Sequence, residues 1–261
     1  MTVEATQLPQ AIPAASSVTI GGLKIAVVDR DAAARDMIVR SRQRRSIGPL
    51  YYTSANGEVI ARTSADPALK VMFSSADQIV ADGQPLVTAS RYLCAQALPE
   101  RVATTDLFHD VAKLAELSGT TFYMLGASPI ENDKAVARVG ELYPRLSIVG
   151  ASHGYLEGEA LEIKLAEINA LAPDILWLCL GVPREQIFYR DNASKLTNVG
   201  IVKTAGGLFD HIAGKTIRAP LWLQKAGFEW LWRLLMEPRR LFWRYVTTNP
   251  QAVWAMLRDS R

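Results

Sequence analysis

The chain has 261 residues, an apolar share of 49% and a formal net charge of +3 at pH 7; such a composition is typical of a globular protein and excludes a disordered or fibrous one. Two cysteines are too few for a disulfide framework, and no uninterrupted apolar run reaches the roughly 18 residues that a membrane-spanning helix needs. Residues 1–18 lack the basic and apolar regions of a signal peptide and predict a disordered lead. We therefore expect a cytoplasmic protein.

Apolar or β-branched runs alternate with helical patterns along most of the chain. Strands are predicted at Lys24–Asp29, Pro49–Ala55, Gln78–Gly83, Thr120–Gly126, Leu146–Ser152, Asp174–Gly181 and Gly200–Gly207. Helices are predicted at Ala32–Arg40, Asp66–Phe73, Glu131–Leu142 and Glu159–Ala170. This alternation predicts an α/β fold, a Rossmann-like parallel sheet with helices on both faces, over residues 19–212. The near-continuous apolar run DILWLCL predicts a buried central strand.

Residues 213–261 differ from the rest and predict a helical appendage that is basic and aromatic. From Lys215 onward there are nine Lys/Arg against three Asp/Glu, a net charge of +6, which leaves −3 for the preceding residues. Five of the six tryptophans lie in this tail. Such a composition suits an anionic membrane surface, and it suits a buried helix pair equally well.

Six loops follow the predicted strands and carry glycine or small polar residues. They are Thr53–Asn56, Ala81–Pro85, Gly126–Pro129, Gly150–Tyr155, Gly181–Gln186 and Ala205–Asp210. Because ligands bind at the carboxyl ends of the strands in open parallel sheets, these loops predict one site.

Two acidic motifs each have a chemical and a structural interpretation. Asp82 would place a carboxylate at the rim of the sheet, where partial burial would let it take a proton from a sugar hydroxyl; on the residues alone, an Asp-Gly turn is favoured. The Asp29-Arg30-Asp31 motif has the shape of a cation site, but we favour an Asp at a helix N-cap.

The remaining patterns restrict the chemistry further. Gly126 and Ala127 lie where backbone amides could meet a phosphate, although Ser128 could equally be a plain helix cap and the dinucleotide fingerprint is missing. The histidines have no metal-ligand spacing, so no metal site is predicted. In the tail, Arg233, Arg240 and Arg244 could share one helical face, which would bind a diphosphate or lipid headgroups.

Several stretches together resemble glycosyltransferase family 26, the WecG/TagA/CpsF group of bacterial enzymes. They include YYTSAN, ADGQPLV, LPERV, FYMLG, YPRLSIVGASHGY, APDILWLCLGVP, AGGLFDHIAGKTIRAP and EWLWRLLMEPRRLFWRY. The likeness runs in order from about Lys24 to about Met256. It implies an inverting transfer that needs neither metal nor cofactor. The donor is a UDP-sugar, and the acceptor is a polyprenyl-diphosphate-linked sugar at the inner face of the bacterial plasma membrane, used to build an exported or cell-surface polysaccharide.

The resemblance also assigns roles to residues. Asp82 matches the general base of the family, and Thr53 is likewise expected to be catalytic; together with Asn56 it matches a strand end that lines the same pocket. The other residues expected to bind substrate are Gly83, Gly126, Ala127, Gly181, Pro183, Arg184, Glu185, Gln186, Gly206, Gly207 and Asp210. Arginines of the family's tail motif match Arg218, Arg233, Arg239, Arg240 and Arg244. The tail would hold the enzyme at an anionic membrane surface. No nucleic-acid partner is expected, and a homo-oligomer is left open.

One departure from the family keeps an alternative open. Where the family continues Gly-x-Pro with Lys-Gln-Glu, this chain has Arg184-Glu185-Gln186. The exchange of Gln and Glu motivates a second hypothesis, a catalytically silent UDP-sugar-binding scaffold of the same pathway. A third, a nucleotide-sugar oxidoreductase or epimerase, is disfavoured because the glycine fingerprint is missing.

Overall fold

The computed structural model describes residues 15–215, 219–220, 223, 229–236 and 238–261. The strands are β1 Ser17–Ile20, β2 Leu23–Ala26, β3 Leu50–Ala55, β4 Gln78–Ala81, β5 Phe122–Gly126, β6 Ile148–Ser152, β7 Ile175–Cys179 and β8 Ile201–Thr204. The helices are α1 Arg30–Arg40, α2 Gly57–Ala65, α3 Pro67–Ser74, α4 Gln84–Leu93, α5 Thr104–Ser118, α6 Pro129–Leu142, α7 Gly158–Leu171, α8 Arg184–Asn192, α9 Leu208–Ile212, α10 Glu229–Met236 and α11 Pro238–Asp259. A short 3-10 turn, Ala193–Lys195, follows α8.

A parallel sheet forms the centre of the molecule, with the strand order β4-β3-β8-β7-β5-β6. The strand predicted at Lys24–Asp29 is not part of it. Its residues form β2, which pairs antiparallel with β1 in a separate two-stranded sheet. Gly21 and Gly22, at φ +56° and +78°, make the turn between the two strands.

Helices cover both faces of the parallel sheet. On β5, Phe122 and Met124 pack with α1, α5, α6 and α9, whereas Tyr123 and Leu125 pack with α7 and α8. All five residues of β7 are buried, as the run DILWLCL predicts. The predicted α/β class is therefore confirmed.

The last helix is partly core and partly exposed. Ala252, Ala255 and Met256 of α11 are buried against α2, α3 and α4, and the backbones of Arg261 and Thr19 exchange hydrogen bonds of 2.9 and 3.1 Å. The end of the tail thus packs into the domain that the sequence assigns to residues 19–212. The boundary at residue 213 stays a prediction.

Helix α11 carries several exposed apolar side chains. They are Phe242, Trp243, Val246, Val253, Trp254 and Leu257. Trp243 is 70% exposed and Trp254 is 64% exposed. The buried interpretation therefore holds for the end of the tail, and the membrane-facing one stays a prediction for its exposed side chains. Across the described ranges, no helix is both long and apolar enough to span a bilayer.

Candidate active site

Asp82 lies at the carboxyl edge of the sheet, directly after β4. Its backbone N–H donates to the carbonyl of Ala55 at the end of β3, at 2.8 Å, which brings Asp82 next to Asn56. Asn56 caps α2 by accepting from the N–H of Val59 at 3.0 Å. A Cβ at Gly83 would lie only 3.2 Å from the backbone of Asn56, so glycine lets the two loops approach closely.

The Asp82 carboxylate is held on one side and open on the other. Its Oδ2 accepts from the hydroxyl of Thr104 at 2.9 Å. Arg101 donates to the Asp82 carbonyl at 3.1 Å, and its Nη2 lies 3.7 Å from Oδ1. Burial raises the pKa of Asp82, although Arg101, the Thr104 hydrogen bond and Lys203 oppose the shift. With 26% of its side chain still exposed, Asp82 has the basicity and the access of a proton acceptor.

A cleft of about 430 Å³ opens above this carboxylate, and we call it the Asp82 cleft. Its two walls are the loops after β3 and β4 and the inner face of α11. The lining residues are Asn56, Gly57, Glu58, Asp82, Gly83, Gln84, Pro85, Arg101, Arg244, Tyr245, Asn249, Ala252, Val253 and Met256. Arg244 of α11 joins the walls, because its Nη1 lies 3.3 Å from Glu58 Oε2.

A second, more apolar groove continues from the cleft. It has a volume of about 410 Å³ and lies between α4 and α11; we call it the α4–α11 groove. The two share Gln84, Pro85, Val253 and Met256, and Tyr92, Leu93 and Leu257 line the groove further out. An elongated ligand with a polar head and an apolar tail would fit both.

A third cavity, of about 170 Å³, lies at the ends of β5 to β8, and we call it the glycine cavity. It is lined by Ala127, Gly154, Tyr155, Cys179, Leu180, Gly181, Arg184, Gly206, Gly207 and Asp210. Ala127, Gly181 and Gly206 have positive φ angles of 55°, 76° and 57°. The guanidinium of Arg184 lies over the ring of Tyr155, 5.4 Å from its centroid. Accessible glycine backbone beside the Arg184 guanidinium makes this cavity suitable for an anion, although the Asp210 carboxylate also lines it.

Glu185 lies behind the glycine cavity and holds its loops together. Its Oε1 accepts from the backbone N–H groups of Gly206 at 2.6 Å and of Ala205 and Leu180 at 3.3 Å. Burial raises the pKa of Glu185, and hydrogen bonds from the backbone N–H groups of Gly206, Gly181 and Leu180 oppose the shift. Gln186 is buried beside Tyr51. Neither side chain lines the cavity, unlike Arg184.

The other residues expected from the sequence occupy varied positions. Thr53 is buried within the sheet and accepts from the hydroxyl of Thr204 at 2.7 Å. A Cβ at Gly126 would lie 2.2 Å from the carbonyl oxygen of Cys179, so this glycine lets the neighbouring strands meet. Pro183 directly precedes α8 and follows a cis peptide bond.

The structure describes the side chains of only some of the tail arginines. Arg244 lines the Asp82 cleft and Arg239 is exposed. Arg218 lies outside the described residues, and so do the side chains of Arg233 and Arg240.

Two helix caps expected from the sequence are confirmed. Asp29 accepts from the N–H of Ala32 at 2.7 Å at the start of α1, and Ser128 caps α6 through the N–H of Glu131. In the part of the chain that the structure describes, no group of three or more His, Cys, Asp or Glu side chains is arranged to hold a metal ion.

The sequence reasoning missed Lys203 and Thr104. Lys203 is buried in β8, and its Nζ donates to Ser54 Oγ at 2.7 Å and to the Thr204 carbonyl at 2.8 Å. Thr104, at the start of α5, binds Asp82 as described above. The one available signal is a lysine within the otherwise apolar strand IVKT, since a charged residue there must find partners inside the protein.

Comparison with known proteins identifies the family. A sequence model of the family described as "Glycosyl transferase WecG/TagA/CpsF family" matches residues 18–261. The chain is 31% identical over 215 residues to the N-acetylglucosaminyldiphosphoundecaprenol N-acetyl-beta-D-mannosaminyltransferase of Bacillus spizizenii, covering 81% of this chain and 80% of that protein. It is 28% identical over 220 residues to the protein of the same name from Bacillus subtilis, covering 83% and 82%. The chain therefore belongs to the WecG/TagA/CpsF family of glycosyl transferases.

Proposed function

We propose that this enzyme transfers a sugar from a UDP-sugar to a sugar that is already linked through diphosphate to a polyprenyl lipid, with inversion at the anomeric carbon. The observation that carries the proposal is the Asp82 carboxylate, whose Oδ2 is bound by Thr104 and which lines a cleft continuous with an apolar groove. The names of the two Bacillus relatives specify a diphosphoundecaprenol-linked acceptor. Such an acceptor has a polar diphosphate sugar, which suits the cleft, and an apolar polyprenyl chain, which suits the groove.

The donor would bind at the glycine cavity. A diphosphate can approach the backbone at Gly206 and Gly207 without a Cβ in the way. Arg184 adds a positive charge at the same cavity, and Tyr155 offers an aromatic ring for the uracil base. Glu185 would act indirectly, by keeping the loops after β7 and β8 in register.

The acceptor would bind in the Asp82 cleft. Arg101 and Arg244 line the cleft and suit the acceptor diphosphate, and the α4–α11 groove suits the first isoprene units. The exposed apolar side chains of α11 would lie in the membrane interface, so that the lipid need not leave the bilayer. The tail's net positive charge favours anionic headgroups.

The transfer would then proceed as a single displacement. Asp82 Oδ1 takes the proton of the acceptor hydroxyl while the hydroxyl oxygen forms a bond to the anomeric carbon. The bond from that carbon to the β-phosphate oxygen breaks, and its electron pair leaves with UDP. Positive side chains and loop amides stabilise the developing charge on UDP; in the proposal Arg184 acts here, together with Arg218, Arg233 and Arg240 by resemblance to the family.

The test is UDP release by the purified protein, with a panel of UDP-sugars and a short-chain polyprenyl-diphosphate sugar, in EDTA and again in Mn²⁺. We expect acceptor-dependent release with one donor and equal rates in both buffers. Asp82→Asn should lose at least about 100-fold in rate, the scale of a lost general base, while it still binds UDP in calorimetry.

Asp191→Asn is the matched control, because Asp191 is an exposed aspartate that pairs with Arg190 at the surface. An active Asp82→Asn enzyme would exclude Asp82 as the base. UDP binding without turnover on any acceptor would instead favour the silent scaffold.

A further inference from the structure

Lys203 is enclosed in the middle of the sheet. It belongs to β8, which pairs with β3 on one side and β7 on the other, and it is 1% exposed. An ammonium group in such a position costs several kcal/mol of desolvation unless charges and hydrogen bonds compensate it. Its position therefore calls for an explanation that packing alone does not give.

A continuous chain of hydrogen bonds connects this lysine to Asp82. Lys203 Nζ lies 2.7 Å from Ser54 Oγ, Ser54 Oγ lies 2.9 Å from Thr104 Oγ1, and Thr104 Oγ1 lies 2.9 Å from Asp82 Oδ2. Three elements thus meet at one carboxylate: β8, the end of β3 and the start of α5.

The chemistry of these groups fixes the direction of every bond. An ammonium group only donates and an ionised carboxylate only accepts, so Ser54 accepts from Lys203, Thr104 donates to Asp82, and the Ser54 hydroxyl donates to Thr104. Thr104 then has its single hydrogen left for Asp82. The positive end of the chain is the lysine and the negative end is the carboxylate, and each hydroxyl polarises the next.

We propose that Lys203 is a positioning residue for the transfer: acting through Ser54 and Thr104, it fixes the orientation of the Asp82 carboxylate and holds its negative charge. Oδ2 is thereby occupied, and Oδ1 is left as the oxygen that meets the acceptor. This inference rests on the proposed function, in which Asp82 is the base.

The surrounding charges are consistent with this role. Arg101, beside α5, and Lys203 both favour the ionised carboxylate against the effect of burial, while Arg244 and Glu58 line the same cleft. Burial lowers the pKa of Lys203 to about 8, and Asp82, Glu185 and Cys179 oppose the shift. The lysine and Asp82 therefore stabilise each other's charged forms.

The test is the pH dependence of kcat/KM for Lys203→Met, Ser54→Ala and Thr104→Val. Because ionised Asp82 is required, loss of the positive charge should move the acidic limb of the Lys203→Met profile upward by about one pH unit. Below the wild-type acidic limb the rate should be about tenfold lower than that of the wild type, and it should recover as the pH rises, with the Kd for UDP unchanged. Lys195→Met, which removes an exposed lysine paired with Glu162, should keep the wild-type profile.

Each outcome separates this inference from the proposed function. If Asp82→Asn is inactive and the three variants keep the wild-type acidic limb, the role of Lys203 is wrong and Asp82 remains the base. If Asp82→Asn is active, the proposed function itself fails. Should Lys203→Met not fold, Ser54→Ala and Thr104→Val decide, since both break the chain without removing the lysine; an unmoved limb in both overturns the inference.

Discussion

The buried lysine makes the stability of the fold depend on pH in an unusual direction. In the folded chain the pKa of Lys203 is about 8 because burial disfavours the ammonium form, against an ordinary value of 10.5. Between these values the unfolded chain binds more protons, so the free energy of unfolding rises with pH. One pKa unit corresponds to about 1.4 kcal/mol, and Lys203 therefore adds about 2 kcal/mol of stability between pH 8 and pH 10.

Urea unfolding at pH 8, 9 and 10 would measure this effect, with Lys203→Met as the reference. Burial raises the pKa of Cys179 and Tyr51, and these groups destabilise the fold as the pH rises above their ordinary values. They are present in both proteins, so most of their contribution to the free energy of unfolding cancels in the difference between wild type and variant, and the remaining pH dependence reports on Lys203. We expect that difference to shift by about 2 kcal/mol in favour of the wild type. A difference that stays flat from pH 8 to pH 10 would refute a buried ammonium at this position.

Two further predictions concern Glu185 and the exposed apolar side chains of α11. Glu185→Ala should lower the free energy of unfolding by about 3 kcal/mol or more, because up to three buried N–H groups lose their acceptor; Glu185→Gln, which keeps one acceptor oxygen, should cost less. Equal urea midpoints for Glu185→Ala and wild type would contradict this. Replacing Trp243 and Trp254 by Asp should weaken binding to anionic liposomes by about tenfold or more, whereas Val71→Asp, at an exposed apolar site on α3, should not. Unchanged flotation of the double variant would remove α11 from the membrane contact.

The strands of the parallel sheet were predictable because strands that are buried on both faces consist of nearly continuous apolar runs. β5, β7 and β8 all lie within the predicted runs. The same signal could not tell that Lys24–Asp29 leads into a separate hairpin, since pairing partners depend on the fold. No helix was assigned to α2, α4 or α5, and α5 supplies Thr104 to the site.

The candidate site was predictable only in part. Asp82 was identified through the resemblance, whereas the residues alone favoured a turn. The groups that hold it come from distant segments: Thr104 is 22 residues away, and the Lys203–Ser54 bond spans 149 residues. Glu185 illustrates the same limit, because its three amide partners lie on two loops that only the folded sheet brings together.

The position of β8 has a consequence for how the protein reaches its folded state. β8 is the last strand of the sheet in chain order, yet it lies between β3 and β7. Without β8, β3 would pair only with β4, and β7 only with β5, so that the sheet would fall into two parts, each with an open edge. Such long-range pairing forms slowly. The Asp82 side and the glycine cavity are therefore held together by the same strand that carries Lys203, and a molecule in which β8 is not in place has no assembled site.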